Sequence, residues 1–528
     1  MKTFFFYDLE TSGLNPREDR IMQFAGQRTD MGLNLVGDPV NLLVRLSDDT
    51  LPSPYALMVT GITPQQTVQD GVKEAELAKA VYNEFMTPDT ITVGYNNIRF
   101  DDEFLRYHLW RNFHDPYEWA WSQGRSRWDL LDVVRMTRAL RPDGIEWPVV
   151  DGKAVNKLEL LTKVNGISHQ AAHDALSDVT ALIDVARLLK NKQPQLFDWL
   201  FKLRDKNEVK KLVNLDGKHE FVYSSGRYDA EFNKTTVAFP LTAGRNGNVV
   251  VYDLRHDPSE FIKMDKKQLA DALFSYAPTA NSSRKDNADK LHGSFSTSSA
   301  QSERSAPRGT SMPAKAGVDS ASMAAPSDLR SKGYDSEKDH RSLPRPAVKE
   351  LQYNRCPAVA PLGVLEQGDG WAKIGLTAKI VAENKQKLLA APDFAERVRE
   401  VFESRPEFTS GKDPEAQLYD SFVSDRDKVR VEAVRNATED QLADFNPDFT
   451  DERLPELLVH FKARNYPKAL SEDEAKQWEK WRGEHIAAQS GRFVSDLQKL
   501  SATASKKQQF ILQELQLWLE NVAGSCDY

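Results

Sequence analysis

The stretch Phe4-Phe5-Phe6-Tyr7-Asp8-Leu9-Glu10 decides how the first part of this chain is read. Its aromatic run suits a buried strand, and strand alternation then places Asp8 and Glu10 on one face with Leu9 on the other. Two carboxylates side by side at the end of an apolar strand repel unless a divalent cation lies between them. Hard oxygen donors suit Mg2+ or Mn2+. By itself the triplet says little, because about one or two Asp-x-Glu sequences arise by chance in a chain of this size.

Working outward, Leu35 to Leu46 and Thr90 to Tyr95 also read as strands, with helical stretches following, so residues 1–200 form an α/β domain. The strand at Thr90 runs into Gly94-Tyr95-Asn96-Asn97-Ile98-Arg99-Phe100-Asp101-Asp102, where Asp101 opens a helix. An Asp there also serves as an ordinary cap. His173-Asp174-Ala175-Leu176-Ser177-Asp178 leads into a helix with apolar Val179, Leu182, Ile183, Ala186 and Leu189. Asp178 lies inside that helix and His173 before it, so the carboxylate can hold a metal while the imidazole reaches an attacking water as general base. An exposed His beside an N-cap Asp174 is the plainer reading. What distinguishes the chain is the order: Asp8 and Glu10 on a first strand, Asp101 after a later one, then His173 and Asp178 at a helix start.

The remainder divides in two. Residues 201–356 carry short β-rich pieces, Glu220 to Tyr223, Thr235 to Phe239, Asn248 to Leu254 and Val348 to Tyr353, with turn residues Gly244 to Gly247 between two of them. A polar segment at about 281–346 interrupts this small β domain and has too few apolar residues to bury a core, so disorder is expected there. Residues 357–528 form a third, helical domain; from Thr377 they follow a helical pattern without a fixed repeat, as in Phe394, Val398, Val401 and Phe402.

Composition narrows the function. With 528 residues there is room for several domains, and a net charge of -8 argues against indiscriminate coating of nucleic acid, which draws on phosphate neutralisation. An acidic centre that recruits cations fits this balance. The mean hydropathy of -0.57 and the absence of any apolar run near the roughly eighteen residues that span a bilayer exclude a membrane-embedded reading. No export signal is visible at the start, and a cytoplasmic location is the expectation. Cys356 and Cys526 are the two cysteines, far apart, and read as reduced thiols.

The ordered carboxylates and histidine resemble the DEDDh group of proofreading-type exonucleases. More of the chain is similar to the bacterial exodeoxyribonuclease I family: Gly94 to Glu103, Asp115 to Val133 with Ser126-Arg127-Trp128-Asp129-Leu130-Leu131-Asp132, His173 to Asp178, Ala416-Gln417-Leu418-Tyr419 and Ala463-Arg464-Asn465-Tyr466-Pro467. The resemblance implies a ribonuclease-H-like nuclease domain, a Src-homology-3-like β domain and an α-helical domain around a groove for a single strand. It further implies two Mg2+ ions (Mn2+ in their place), with Asp8 bridging them, Glu10 and Asp178 completing the first, Asp101 supporting the second, and His173 activating the nucleophile. The implied reaction is 3′→5′ hydrolysis of single-stranded DNA to 5′-mononucleotides, in DNA repair and recombination, by a monomer. A 3′→5′ ribonuclease of the same superfamily and a non-catalytic nucleic-acid-binding protein are the alternatives, since no residue reveals how the sugar is read.

Aromatic and cationic residues interleave between Phe104 and Trp128, as stacking on an unpaired strand requires. Phe104, Tyr107, Trp110 and Phe113 read as helix core. Trp119, Trp121 and Trp128 read equally as core or as stacking faces. Trp128, Arg127, Lys157, Lys202 and Lys210 are the candidate strand contacts; Lys157 stands where the family pattern leads one to expect an arginine, which keeps the charge but loses a bidentate phosphate contact. Arg141 is, by resemblance, a candidate contact for the acidic C-terminal tail of single-stranded-DNA-binding protein.

Overall fold

The computed structural model describes residues 1–169, 173–274, 347–405 and 411–524. The expected polar insertion at 281–346 lies outside the described residues, as does Cys526. Among the described residues, no helix is long and apolar enough to cross a membrane.

Five strands build the first sheet: β1 (Thr3–Thr11), β2 (Ile21–Thr29), β3 (Leu35–Leu43), β4 (Thr90–Gly94) and β5 (Ser126–Asp129), in the order β3-β2-β1-β4-β5. β1 pairs antiparallel with β2 and parallel with β4, and β4 pairs parallel with β5. This mixed, ribonuclease-H-like order puts β1 at the centre with helices on both faces. Phe4 and Phe6 face a core shared with Val93, Trp128 and Val179, whereas Phe5, Tyr7 and Leu9 pack with Phe24, Phe85 and Phe104. The aromatic run is thus split between two cores by its period of two. Gly26, opposite Tyr7, gives Phe5 its room: a Cβ there would sit 2.4 Å from the Phe5 ring.

The helices that matter for function are α1 (Glu74–Met86), α2 (Asp101–Arg111), α3 (Leu130–Leu140) and α4 (Ala175–Lys192). α4 packs across β1 and β2. A second, all-antiparallel sheet contains β6 (Phe221–Ser224), β7 (Thr235–Ala243), β8 (Val249–Asp253), β9 (Val348–Leu351) and β10 (Ala358–Pro361), in the order β9-β8-β7-β6-β10. This is the Src-homology-3-like unit, and its strands share one continuous core with the α4 face of the first sheet.

The C-terminal part is helical and includes α5 (Leu454–Asn465), α6 (Glu472–Ser501) and α7 (Lys506–Gly524). It seals against the first domain at two places. Ile486, Phe493, Leu515 and Trp518 pack with Met22, Leu46 and Leu57. Tyr107, Trp110 and Phe113 pack with Leu418, Leu454 and Phe461. So of the four aromatics on and after α2, Phe104 turns into the first domain and the other three form the seam. Trp110 Nε1 donates to the Pro414 carbonyl at 2.9 Å.

Candidate active site

β1 delivers its carboxylates where its pairing becomes irregular. The β1–β2 register shifts between Glu10 and Thr11, a bulge of the kind that re-aims side chains beside functional sites. Glu10, 9 % exposed, there meets the start of α4. Donor atoms of Glu10, His173 and Asp178 all lie within 4.8 Å of one another. Asp8 and Asp101 are not members of that group among the described residues. Asp8 lies two residues earlier on β1, and Asp101, 1 % exposed, opens α2 just beyond β4, the parallel neighbour of β1. All five sequence-predicted residues therefore sit on β1 or on helix starts around it, with three of them in ligating proximity.

Local chemistry explains each placement. Asp174 caps α4, its Oδ2 accepting from Ser177 N at 3.0 Å, so Asp178 falls in the first turn and His173 just before it. His173 has φ +69°, a left-handed conformation that His tolerates better than most residues. Asp178 is paired with His169 Nε2, and His169 Nδ1 lies 3.1 Å from Thr162 Oγ1. An open cavity of about 380 Å³ lies beside His173, lined also by Gln23, Asn41, Leu43, Gln66 and Asp174.

Asp102, next to the predicted Asp101, has a separate task. Fully buried, it accepts from Tyr7 Oη, from Asn97 Nδ2 at 3.1 Å and from Arg127. Burial, then the charges of Asp102 and Asp101, push the Tyr7 phenol well above its ordinary pKa, so it stays a donor. Asp102 thereby bolts the start of α2 to the centre of the sheet. Sequence reasoning leaves His169, Asp102 and Gln23 unmarked; His169 alone had a signal, standing four residues before His173.

Two of the candidate strand contacts are corrected. Trp128 is 2 % exposed and packs among Phe4, Phe197 and Phe201, so it is a core residue and offers no face to a base. Arg127 is 8 % exposed; its guanidinium holds Asp102 and donates to the Asn354 carbonyl at 3.1 Å, which commits it to joining the first two domains. Trp119 is likewise buried, with Nε1 donating to the Pro116 carbonyl, whereas Trp121 is 71 % exposed. Lys202 and Lys210 are exposed, Lys210 Nζ 5.3 Å from the Tyr353 ring centre. Lys157 lies 3.8 Å from Glu159. Arg141 Nη2 donates to Gln367 Oε1 at 2.7 Å.

Carboxylate oxygens with one imidazole, gathered this closely at a bulged strand end, fit a divalent cation. Comparison with known proteins agrees. A model of exonucleases matches residues 5–186, one of the exonuclease I SH3-like domain matches 204–288 and 319–404, and one of the exonuclease I C-terminal domain matches 412–522. Exodeoxyribonuclease I of Haemophilus influenzae is 35% identical over 501 residues, 94% of this chain and 93% of that protein. The crystal structure of Escherichia coli exonuclease I with a dA16 oligonucleotide superposes with a TM-score of 0.84 at 32% identity, covering 99% of this chain and 100% of that one. The zinc-bound form of the E. coli exonuclease I complex with single-stranded DNA gives 0.83 at 31%, covering 99% and 100%. With all three domain models in chain order and a relative this similar along more than nine tenths of both sequences, the chain belongs to the exodeoxyribonuclease I family of nucleases.

Proposed function

We propose that this chain hydrolyses single-stranded DNA from the 3′ end, releasing 5′-mononucleotides, with two Mg2+ ions that Mn2+ can replace. The observation that carries the reading is the meeting of Glu10, His173 and Asp178 at the β1–β2 register shift, in a chain of this family. Asp8, Glu10 and Asp178 would hold the cations from β1 and α4, with Asp101 supporting from α2. Bound cations neutralise the phosphate and polarise the bond to be broken. His173 takes the proton of the attacking water as its oxygen bonds to phosphorus; the bond from phosphorus to the 3′ oxygen of the preceding nucleotide breaks, and that oxygen is protonated. The left-handed turn at His173 presents the imidazole from the loop side of α4 and leaves Asp178 fixed in the helix.

Exposed Lys202 and Lys210, together with Lys157, track the phosphates of the strand. Arg141 receives the acidic tail of single-stranded-DNA-binding protein. Domain limits at 200 and 356, a monomeric state, a cytoplasmic location and a role in DNA repair and recombination complete the reading. Digestion of 5′-labelled single-stranded DNA and matched RNA with and without Mg2+ tests it. Metal-dependent shortening from the unlabelled 3′ end of DNA is expected, and faster loss of RNA, or none of either, overturns it.

A further inference from the structure

Gln23 sits at a point that no sequence motif marks. It is the cross-strand partner of Glu10 in the β1–β2 register and is 5 % exposed. Its amide is fully engaged: Nε2 donates to Asn41 Oδ1 and to Asp174 Oδ1, each at 3.0 Å, and Oε1 accepts from the Ala175 N–H at 3.3 Å. Asp174 caps α4 with its other oxygen. One side chain therefore ties the sheet, at the level of Glu10, to the first turn of the helix that carries Asp178. His173, immediately before the cap, is in the left-handed region, which persists only where the surroundings hold it.

We propose that Gln23 is a positioning residue: it sets the gap between Glu10 on the sheet and His173 and Asp178 at the start of α4, so that the three meet. The inference rests on the nuclease reading above. A planar amide with two donors and an acceptor fixes direction as well as distance. Leucine in its place would nearly keep the volume but strip Asp174, Asn41 and the Ala175 N–H of these bonds. A shift of about 1 Å in such a constellation costs on the order of 10²-fold in rate.

Two readouts separate positioning from general structural support. Gln23→Leu is expected to lower kcat about 10²-fold while KM for an oligothymidylate stays within about twofold, the split expected of misplaced catalytic groups. In the metal-free protein, amide hydrogen exchange at Ala175 and Ser177 should quicken about tenfold or more, with the remaining core amides unchanged. Gln23→Glu sets like charges against each other at Asp174. Adding Asp174→Asn restores a donor facing the new carboxylate, keeps the helix cap, and should recover the exchange protection and most of the turnover lost in the single variant. Turnover of Gln23→Leu within about twofold of the unmodified protein overturns the proposal, as does unaltered exchange at Ala175. Should Gln23→Leu fail to fold, the paired variants decide, and no recovery on adding Asp174→Asn overturns it. If the unmodified protein releases no nucleotide, the nuclease reading falls, and exchange in Gln23→Leu still decides whether the clamp exists.

Discussion

Glu10, His173 and Asp178 at the β1–β2 register shift, and Asp413, Glu415 and His460 at the seam with the C-terminal helices, are both groups of acids and a histidine whose donor atoms come within 4.8 Å of one another. At the seam, arginines answer Glu415 and the nearby Asp49. Arg464 Nη2 lies 2.6 Å from Glu415 Oε1 and 2.8 Å from Asp49, Arg20 Nη2 lies 3.1 Å from Glu415 Oε2, and His460 Nδ1 is 2.7 Å from Glu415. Burial pushes the Asp49 and Glu415 carboxyls up, but Arg464 and Arg20 overcome it and hold both well below the ordinary carboxylate range. Beside β1, Asp178 is paired with an imidazole, His169, and the neighbouring cap Asp174 accepts from an amide, Gln23. Ligating distance alone therefore does not make a metal site. What separates the two is what faces the carboxylates: at the seam fixed guanidinium groups bind Glu415 into the structure, whereas under the proposed function a divalent cation would face those beside β1.

The sharpest way to break this contrast is Asp178→Ala, expected to cut nucleotide release about 10³-fold or more while the melting temperature stays within about 2 °C. EDTA should reproduce the loss in the unmodified protein and leave melting of the seam unchanged. His173→Ala follows, with a loss of about 10²- to 10³-fold in kcat. Retained activity in either variant would place the chemistry elsewhere.

Glu415→Ala should behave in the opposite sense. It strips a buried carboxylate from Arg464, Arg20 and His460, and about 3 kcal/mol of stability should go with it in urea melts, while turnover per folded molecule is unchanged. The smallest effect probes Asp413 beside it. Burial, then the charge of Glu415, raise the Asp413 carboxyl to about 6. A raised folded pKa means the folded state binds the extra proton, so ionised Asp413 costs stability as pH rises from about 4 through 6. Asp413→Asn keeps the cap to Glu415 N and should stabilise the protein by about 1 to 2 kcal/mol at pH 7.5, with the gain gone near pH 4. Comparing melts of the two proteins at both pH values checks it.

Much of the site is legible in the residues. Period-two alternation puts Asp8 and Glu10 on one face of β1, and helix patterning puts Asp178 in the first turn of α4 behind His173, as found. Trp128 and Arg127 are misread because both stand in a short strand beside an exposed-looking aromatic region. Their burial comes from Phe197 and Phe201, some seventy residues on, and from Asp102 and Asn354, which local pattern does not bring near. The landmarks around Tyr419 and Arg464 mark the seam: Tyr419 Oη donates to Glu103 Oε2 at 2.6 Å, and Arg464 bonds Asp49.

By itself the amino-acid sequence determines which residue types recur at which period, hence the strands, the helix starts and the side chains able to bind a cation or move a proton. Only the tertiary structure decides which acids are already neutralised, that Gln23 stands opposite Glu10, and that the Asp174 cap reaches back to the sheet. The reason is range. Alternation and capping act over a few residues, whereas desolvation, charge pairing and strand register depend on groups that meet in space after hundreds of intervening residues have folded between them.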